Sequence, residues 1–319
     1  MARTPETTRA ALPVAIVFYS RPCYYKGHVK KHFREELTKG MEERVKHISA
    51  SSKGSGVSLK ELKEYRYLIR LFVKRDLFAI YKQTILGPAW FALQPIMTTL
   101  VFTLVFGFIA RIPTNGYPAF IFYFSGLVCW NCFSIIMNKV SNTFIENTGV
   151  YSKVYFPRLT APIAAAISSF TITLIQLAIL ILVAVGYSVS GTPIPMTYKL
   201  VFALFLLIIA AGMGFGFGLL VAAGTVKYRD LIYFLSFAML LWMYATPVIY
   251  PLEMIPQRFQ FLLFCNPMTG IVVNFKYFLF GIGAPNVPSL LYATAFALCV
   301  IIAGIACYSK AQKNFVDTI

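Results

Sequence analysis

The sequence has few charged residues and almost no acidic residues beyond its first quarter. Charged residues make up 13% and hydrophobic residues 58% of the 319 positions, whereas about a quarter of a soluble domain is charged. After residue 86 the acidic residues are only Glu146, Asp230, Glu253 and Asp317. All three histidines lie within the first 47 residues. The apolar part therefore lacks the groups for carboxylate-pair or Ser-His-Asp catalysis and the intramembrane charges typical of ion-coupled transport.

Cysteines and nucleotide-binding motifs supply no further chemistry. Cys129 and Cys132 form a C-x-x-C within an apolar stretch, with no second ligand pair beside it. Hydrophobic packing is therefore a better interpretation than a metal or redox site. The sequence contains no G-x-x-x-x-G-K-[ST] motif to bind the phosphates of ATP. We expect neither a metal nor a cofactor in this chain. If the chain is a transporter, it has neither an ion site nor a nucleotide site of its own, so a partner must drive it.

The positive charge is concentrated at the start of the chain and in short connections. The net charge is +17, and residues 1–86 carry 18 of the 29 lysines and arginines. The connections between apolar stretches place 25 of these 29 basic residues on one side of a membrane. By the positive-inside rule that side is cytoplasmic, so both termini are expected there. Membrane topology thus explains the charge without nucleic acid as a partner.

The first 83 residues divide into two predicted parts. Residues 1–57 form a cytosolic extension that ends in a serine-rich, flexible linker. Residues 58–83 begin with a capping box from Ser58 to Glu61 and then combine apolar and basic positions at helical spacing. Such an amphipathic interface helix is expected to lie on membrane lipids at headgroup level. The alternative is a soluble helix packed on a cytosolic domain.

Residues 84–319 are predicted to form an all-α integral membrane domain. Each long apolar stretch approaches the roughly 20 residues that cross the hydrocarbon core of a bilayer. Charged connections and prolines separate these stretches. The six predicted transmembrane helices cover residues 86–110, 119–136, 159–185, 200–221, 231–249 and 290–307.

Between spans five and six, the stretch 252–283 is apolar but interrupted at Asn266-Pro267. As a seventh crossing it would place Lys310 and Lys313 outside and break the charge bias. We interpret it as a re-entrant helical hairpin that dips into the outer leaflet and returns. Irregular backbone at membrane depth is tolerated only against protein or a water-filled cavity, so this hairpin should border a pathway.

Aromatic residues are abundant, with 29 Phe, 19 Tyr and 3 Trp. Belts at the lipid interface explain many of them, but some lie well inside the second and fifth spans. Aromatic rings also offer apolar faces to sugar rings. A lipid belt and a channel lining both remain open, and the candidates for the lining are Tyr123, Phe124, Trp130, Phe133, Trp242 and Tyr244.

Two shorter patterns concern helix packing and the membrane interface. Gly214 and Gly218 fit G-x-x-x-G, which allows close helix approach either within one subunit or between two. Arg229 and Asp230 directly precede the fifth span, and this position favours an interfacial ion pair.

The order of several motifs resembles the ABC-2 permeases that export lipid-linked polysaccharides such as O-antigen, capsule or teichoic acid. The resemblance covers about residues 58–310, and the extension 1–57 departs from the compact N-terminus of that family. The motifs are Leu86-Gly-Pro-Ala-Trp90, Gln94-Pro95, Lys153-Val-Tyr-Phe-Pro-Arg158, Lys227-Tyr-Arg-Asp230, Thr246-Pro-Val-Ile-Tyr-Pro251 and Asn266-Pro267.

The resemblance implies a homodimeric permease of the bacterial cytoplasmic (inner) membrane that docks two copies of an ABC ATPase subunit. ATP and Mg²⁺ would bind that ATPase, so this chain is not itself expected to be an enzyme. The implied substrate is a lipid-linked polysaccharide, with O-antigen preferred. The resemblance also implies ATPase coupling through Glu146, Asn147, Tyr151 and Lys153, and an outer gate at Pro247, Tyr250, Pro251, Asn266 and Pro267.

Two other functions are compatible with the sequence. An ABC-2 exporter of drugs or lipids would have the same architecture, and the aromatic second and fifth spans favour a glycan only weakly. A membrane-embedded glycosyl- or acyltransferase would need a catalytic acid near a span end, and Asp230 is the one tempting candidate.

Overall fold

The structure, a computed structural model, describes residues 59–82, 87–151, 156–192, 194–195, 200–228 and 230–315. Within these residues every regular element is helical and no β-strand occurs. The all-α prediction is confirmed. The predicted extension 1–57 lies outside the described residues, so its separation from the membrane domain stays a prediction.

The described residues form twelve α-helices. A 3₁₀ turn precedes α3, and a π-helical segment, Thr103–Ile109, extends it. The helices are α1 (Leu59–Glu64), α2 (Arg66–Lys82), α3 (Trp90–Phe102), α4 (Ala119–Ser141), α5 (Thr143–Glu146), α6 (Thr148–Tyr151), α7 (Thr160–Val189), α8 (Leu200–Thr225), α9 (Leu231–Tyr244), α10 (Gln257–Phe264), α11 (Pro267–Phe280) and α12 (Val287–Phe315).

Five helical segments are long and apolar enough to cross a membrane. They coincide with five of the six predicted spans, although their ends differ by several residues from the predicted ends. Helix α4, for example, continues through Ser141, and Val140 and Ser141 of its last turn are still buried. The five segments are Trp90–Ile109, Ala119–Ser141, Thr160–Val189, Leu200–Thr225 and Val287–Ala311.

The predicted fifth span differs from the structure. Helix α9 ends at Tyr244 rather than at residue 249 and has 14 residues. At 1.5 Å per residue it is about 21 Å long, shorter than the roughly 30 Å hydrocarbon core. The helix ends early because Pro247 and Pro251 follow within seven positions and provide no amide donors. The chain from 245 to 251 is therefore a turn, and the helical prediction for 245–249 was wrong.

The predicted break at Asn266-Pro267 is a sharp bend between two helices. Helices α10 and α11 meet at 105°, and by length and composition the pair is either one broken span or a re-entrant loop. Asn266 caps α11 by accepting a hydrogen bond from the amide of Met268, and Pro267 occupies its first turn. The position of the break is confirmed, whereas the re-entrant path remains a prediction.

Helix α4 is the centre of the domain. Its membrane-length window is 78% buried, compared with 11% for the Trp90–Ile109 segment. Helix α8 packs against it on one side and against α12 on the other. A Cβ atom on Gly214 would lie 2.5 Å from the Phe133 carbonyl oxygen of α4, and one on Gly218 would lie 2.7 Å from Val140 Cβ. The G-x-x-x-G pair therefore mediates packing within this chain, one of the two predicted possibilities.

Candidate functional site

Asn266 joins the end of α9 to the start of α11. Its Oδ1 accepts hydrogen bonds from Trp242 Nε1 at 3.0 Å and from the Met268 amide at 3.1 Å. Its Nδ2 donates to Thr246 Oγ1 at 2.9 Å and to the Ala245 carbonyl at 3.4 Å. One predicted gate side chain thus bonds to both sides of the helix break. A movement of α11 relative to α9 must break several of these bonds.

The turn 245–251 lies between those two helices and is largely buried. Pro247 and Pro251, two predicted gate residues, are buried, as is Pro267 at the start of α11. The Tyr250 hydroxyl donates a hydrogen bond to the Tyr244 carbonyl at 3.2 Å. Burial raises the pKa of the Tyr250 phenol above its ordinary value, so it remains a neutral donor at physiological pH. The predicted gate residues therefore form one contiguous junction.

Lys276, in the middle of α11, was not among the predicted site residues. Its side chain is only 4% exposed. The ammonium donates to the carbonyl oxygens of Pro247 at 3.0 Å and Val248 at 2.9 Å, and it lies 3.8 Å from the ring centroid of Phe122. Charge counting placed it on the outer side of the membrane within the predicted hairpin 252–283, but a lone lysine in an apolar helix was itself a signal.

Three of the predicted channel aromatics come together. Trp130 and Phe133 of α4 contact Trp242 of α9, with centroid separations of 6.5 and 5.1 Å. Phe217 of α8, which was not predicted, contacts Trp242 at 5.3 Å. The edge-to-face angles are those that aromatic pairs prefer.

The other three candidates for the lining lie apart from this cluster. Tyr123 and Phe124 are fully buried toward the start of α4, and Tyr244 is 48% exposed at the end of α9. Within this chain the buried rings contact protein atoms. A role of any of these six aromatics in a channel stays a prediction.

The predicted coupling residues lie after the end of α4. Asn147 is 2% exposed, donates to the Thr143 carbonyl at 3.0 Å and accepts from Arg75 Nη1 at 3.0 Å. Glu146 is exposed and pairs with Lys139 at 3.7 Å, a separation at which surface pairs contribute little stability. Tyr151 ends α6. Its side chain and Lys153 lie outside the described residues.

Arg75 connects α2 to this loop and was also missed by sequence reasoning. Besides Asn147, it binds Asp76 Oδ1 through Nε at 3.0 Å and Nη2 at 2.8 Å. Its guanidinium lies 4.7 Å from the Phe72 ring centroid, and Phe72 contacts Phe156 at 5.7 Å. The apolar face of α2 thus packs partly on protein, and α2 is joined to both ends of the loop 142–156. No spacing rule pairs residues so far apart in sequence.

The predicted Arg229–Asp230 ion pair is the last of the candidates. Asp230 immediately precedes α9 and its carbonyl accepts from the amides of Tyr233 and Phe234 at 3.0 and 3.2 Å. Arg229 lies outside the described residues, so the ion pair stays a prediction. Among the residues that are described, no three His, Cys, Asp or Glu side chains are grouped to hold a metal ion.

The arrangement therefore comprises a helical membrane domain, a hydrogen-bonded junction at a broken helix and a loop held to a basic helix. The sequence profile of the ABC-2 type transporter matches residues 67–280, from α2 to the end of α11. The chain belongs to the ABC-2 transporter family. The predicted resemblance is confirmed, and this ABC-2 permease is a multi-pass membrane protein. Family membership implies an ABC ATPase partner.

The curated relatives of this ABC-2 permease include two proteins with the same name. It is 26% identical over 265 residues to the O-antigen export system permease protein RfbA of Klebsiella pneumoniae, which covers 82% of this chain and 99% of the relative. It is also 26% identical over 263 residues to the O-antigen export system permease protein RfbA of Myxococcus xanthus, covering 82% and 98%. The similarity therefore extends over nearly the full length of both relatives.

Proposed function

We propose that this ABC-2 permease is the transmembrane subunit of an ATP-driven exporter of lipid-linked polysaccharide, most specifically O-antigen. The observation that carries the proposal is the similarity over 98–99% of the length of the O-antigen export permeases. The aromatic cluster around Trp242 is consistent with a sugar-chain substrate. Transport proceeds from the cytoplasmic to the outer face of the bacterial inner membrane.

The energy comes from a separate subunit in this proposal. The sequence contains no G-x-x-x-x-G-K-[ST] motif, and the ABC-2 family works with an ABC ATPase. Two permease chains and two ATPase chains form the exporter, with ATP and Mg²⁺ on the ATPase. The basic connections and both termini face the cytoplasm, as the charge bias favours.

The loop 142–156 and α2 receive the motion of the ATPase together. Glu146 is exposed and available for contact, whereas Asn147 is buried under Arg75. Asn147 therefore acts by holding the loop to α2, and Glu146, Tyr151 and Lys153 meet the partner. At the other end of the domain, α10 and α11 form the re-entrant gate with the turn 245–251.

Deletion of the gene in its own host tests the transport proposal. We expect labelled lipid-linked O-antigen to accumulate on the cytoplasmic face while its synthesis continues, because the glycan is made but not moved. Sensitivity to a glycosidase added before and after permeabilisation of the inner membrane distinguishes the two faces. Restoring the intact chain on a plasmid should return the glycan to the surface.

Two outcomes of this deletion would contradict the proposal. Unchanged surface glycan would favour an exporter of drugs or lipids. Loss of the lipid-linked glycan itself would favour a transferase, and Asp230→Asn would then be the first variant to assay for turnover without a partner.

Arg75→Gln tests the link between α2 and the coupling loop. We expect export to fall roughly three- to tenfold, because a hydrogen bond from a charged group contributes about 1.5–3 kcal/mol and Arg75 is partly exposed. ATP hydrolysis by the purified complex should persist. The ratio of glycan moved to ATP hydrolysed is the quantity to measure. Arg70→Gln removes an exposed arginine from the same helix and should leave this ratio unchanged. If Arg75→Gln and Arg70→Gln move the same amount of glycan per ATP hydrolysed, Arg75 has no role in coupling.

A further inference from the structure

Lys276 is a buried cation, and no carboxylate of the described residues forms an ion pair with it. The ion pairs within the described residues are Arg75–Asp76 and Lys139–Glu146, and neither includes it. Burying an ammonium is strongly unfavourable unless other groups replace its water shell. An ionisable residue within an apolar membrane segment is therefore a functional candidate by default.

Three separate parts of the chain replace that water shell. The turn 245–251 contributes the carbonyl oxygens of Pro247 and Val248, α4 contributes the face of Phe122, and α11 carries the lysine itself. In a continuous helix the Pro247 carbonyl would accept from the amide of residue 251, but Pro251 has no N–H. Lys276 supplies the donor that the proline removes.

The packing around this contact leaves no free space on the side of α4. A Cβ atom on Gly126 would lie 2.8 Å from the Val248 carbonyl oxygen and 3.0 Å from Lys276 Cε. Phe122, Gly126 and Cys129 are spaced to share one face of α4. Cys129 is completely buried. Cys129 therefore lies on the face of α4 that Lys276 contacts at Phe122 and Gly126.

A small cavity connects Lys276 to an acidic residue on the other side. The cavity has a volume of about 20 Å³, and its lining includes Lys276, Glu253 and Asn115. That volume holds about one water molecule. Glu253 is exposed and accepts a hydrogen bond from Asn115 Nδ2 at 3.3 Å. A carboxylate is thus available to the ammonium once it leaves the two carbonyls.

We propose that Lys276 is a positioning residue that acts as a latch and holds the gate closed. When the gate opens, its ammonium leaves the Pro247 and Val248 carbonyls and binds the Glu253 carboxylate. A lysine can satisfy the two buried carbonyls and can also bind the Glu253 carboxylate that lines the same cavity, and an apolar side chain could do neither. The latch rests on the proposed function of α10, α11 and the turn 245–251 as a gate. It does not depend on which substrate passes.

The accessibility of Cys129 tests the latch. In membranes that contain the intact chain with Cys129 as its sole cysteine, we expect Lys276→Met to raise the rate of N-ethylmaleimide labelling by about tenfold, the effect of losing hydrogen bonds to a charged group. Phe122→Leu keeps both carbonyl contacts and removes the ring, so it should raise the rate by a smaller factor. Because Phe122→Leu is a milder change, it still tests the latch if Lys276→Met does not fold.

Two matched controls distinguish release of the Lys276 contact from a general loosening of helix packing. Arg258→Met removes an exposed cation from the same hairpin and should leave Cys129 labelling unchanged. A chain with Cys132 as its sole cysteine should label slowly with or without Lys276→Met, because Cys132 is buried and donates to the Leu207 carbonyl of α8.

An unchanged Cys129 rate in both Lys276→Met and Phe122→Leu would overturn the latch. So would an equal rise at Cys132, or an equal rise with Arg258→Met. Because labelling requires no substrate, normal surface glycan in the deletion strain would refute O-antigen export while the labelling result on the latch stands.

Discussion

Gly216→Leu is expected to remove most of the folded permease from the membrane, whereas Gly186→Leu leaves its amount unchanged. A Cβ atom at Gly216 would lie 2.7 Å from the Ile301 amide nitrogen and 2.8 Å from the Val300 carbonyl carbon of α12. A Cβ atom at Gly304 would lie 2.5 Å from the Gly216 carbonyl oxygen. The backbones of α8 and α12 are thus in direct contact, and a leucine must push them apart.

The expected loss of stability from Gly216→Leu is large because backbone atoms cannot move aside as a side chain can. Overpacking of a core costs about 1–3 kcal/mol, and we expect this site to lie at or above the upper end. Gly186 lies in α7 with no atom within 4 Å of a built Cβ, so it is a matched helical control. The monodisperse fraction of detergent-extracted protein in size-exclusion chromatography measures the difference. Equal yields of both variants would contradict the packing of α8 on α12.

The glycines illustrate how much of this fold the sequence predicts. Their spacing predicts close helix approach, because small residues at i and i+4 leave room for a second backbone. It does not name the partner. The structure shows that Gly214 and Gly218 contact α4, whereas Gly216 contacts α12. Which helix fills each groove depends on the packing of the whole domain, and no local pattern encodes that.

The spans show the same limit at their ends and breaks. Apolar length predicts five crossing helices well, because the bilayer demands both properties together. Pro247 and Pro251 indicated where the fifth span ends, but the apolar run carried its predicted end to residue 249, whereas α9 ends at Tyr244. Charge counting placed Lys276 on the outer side of the membrane because it treats every lysine as hydrated, whereas here carbonyls and a ring replace the water.

The candidate site was predicted in part. The proline and asparagine motifs identified the residues at the helix break, because such residues interrupt helices. The partners that hold the break together, Trp242 and Thr246 for Asn266, follow only from the fold. Sequence spacing likewise does not predict the contact between Arg75 and Asn147. Sequence therefore located the break and the loop, and the structure supplied the bonds that make each of them a unit.

Asn266→Leu is expected to reduce export by more than about tenfold while the protein still assembles. The change removes several hydrogen bonds, each with a net contribution of about 1 kcal/mol, together with a helix cap. The change removes both acceptor contacts, to Trp242 Nε1 and the Met268 amide, and the donor contact to Thr246. The break between α9 and α11 then loses the bonds that cross it. Gln257→Leu replaces an exposed amide on α10 and should leave export unchanged. Surface O-antigen in the complemented deletion strain, normalised to the amount of permease, is the measurement.

A double-mutant cycle with Trp242→Phe identifies the bond within that effect. Trp242→Phe keeps an aromatic ring against Phe133 and Phe217 but removes the indole N–H that donates to Asn266 Oδ1. We expect it to lower export on its own and to add little in the Asn266→Leu background, because the bond is already gone. Equal losses in both backgrounds would mean that Trp242 acts through its ring alone. The junction would then depend on aromatic packing, and Asn266 would serve only to cap α11.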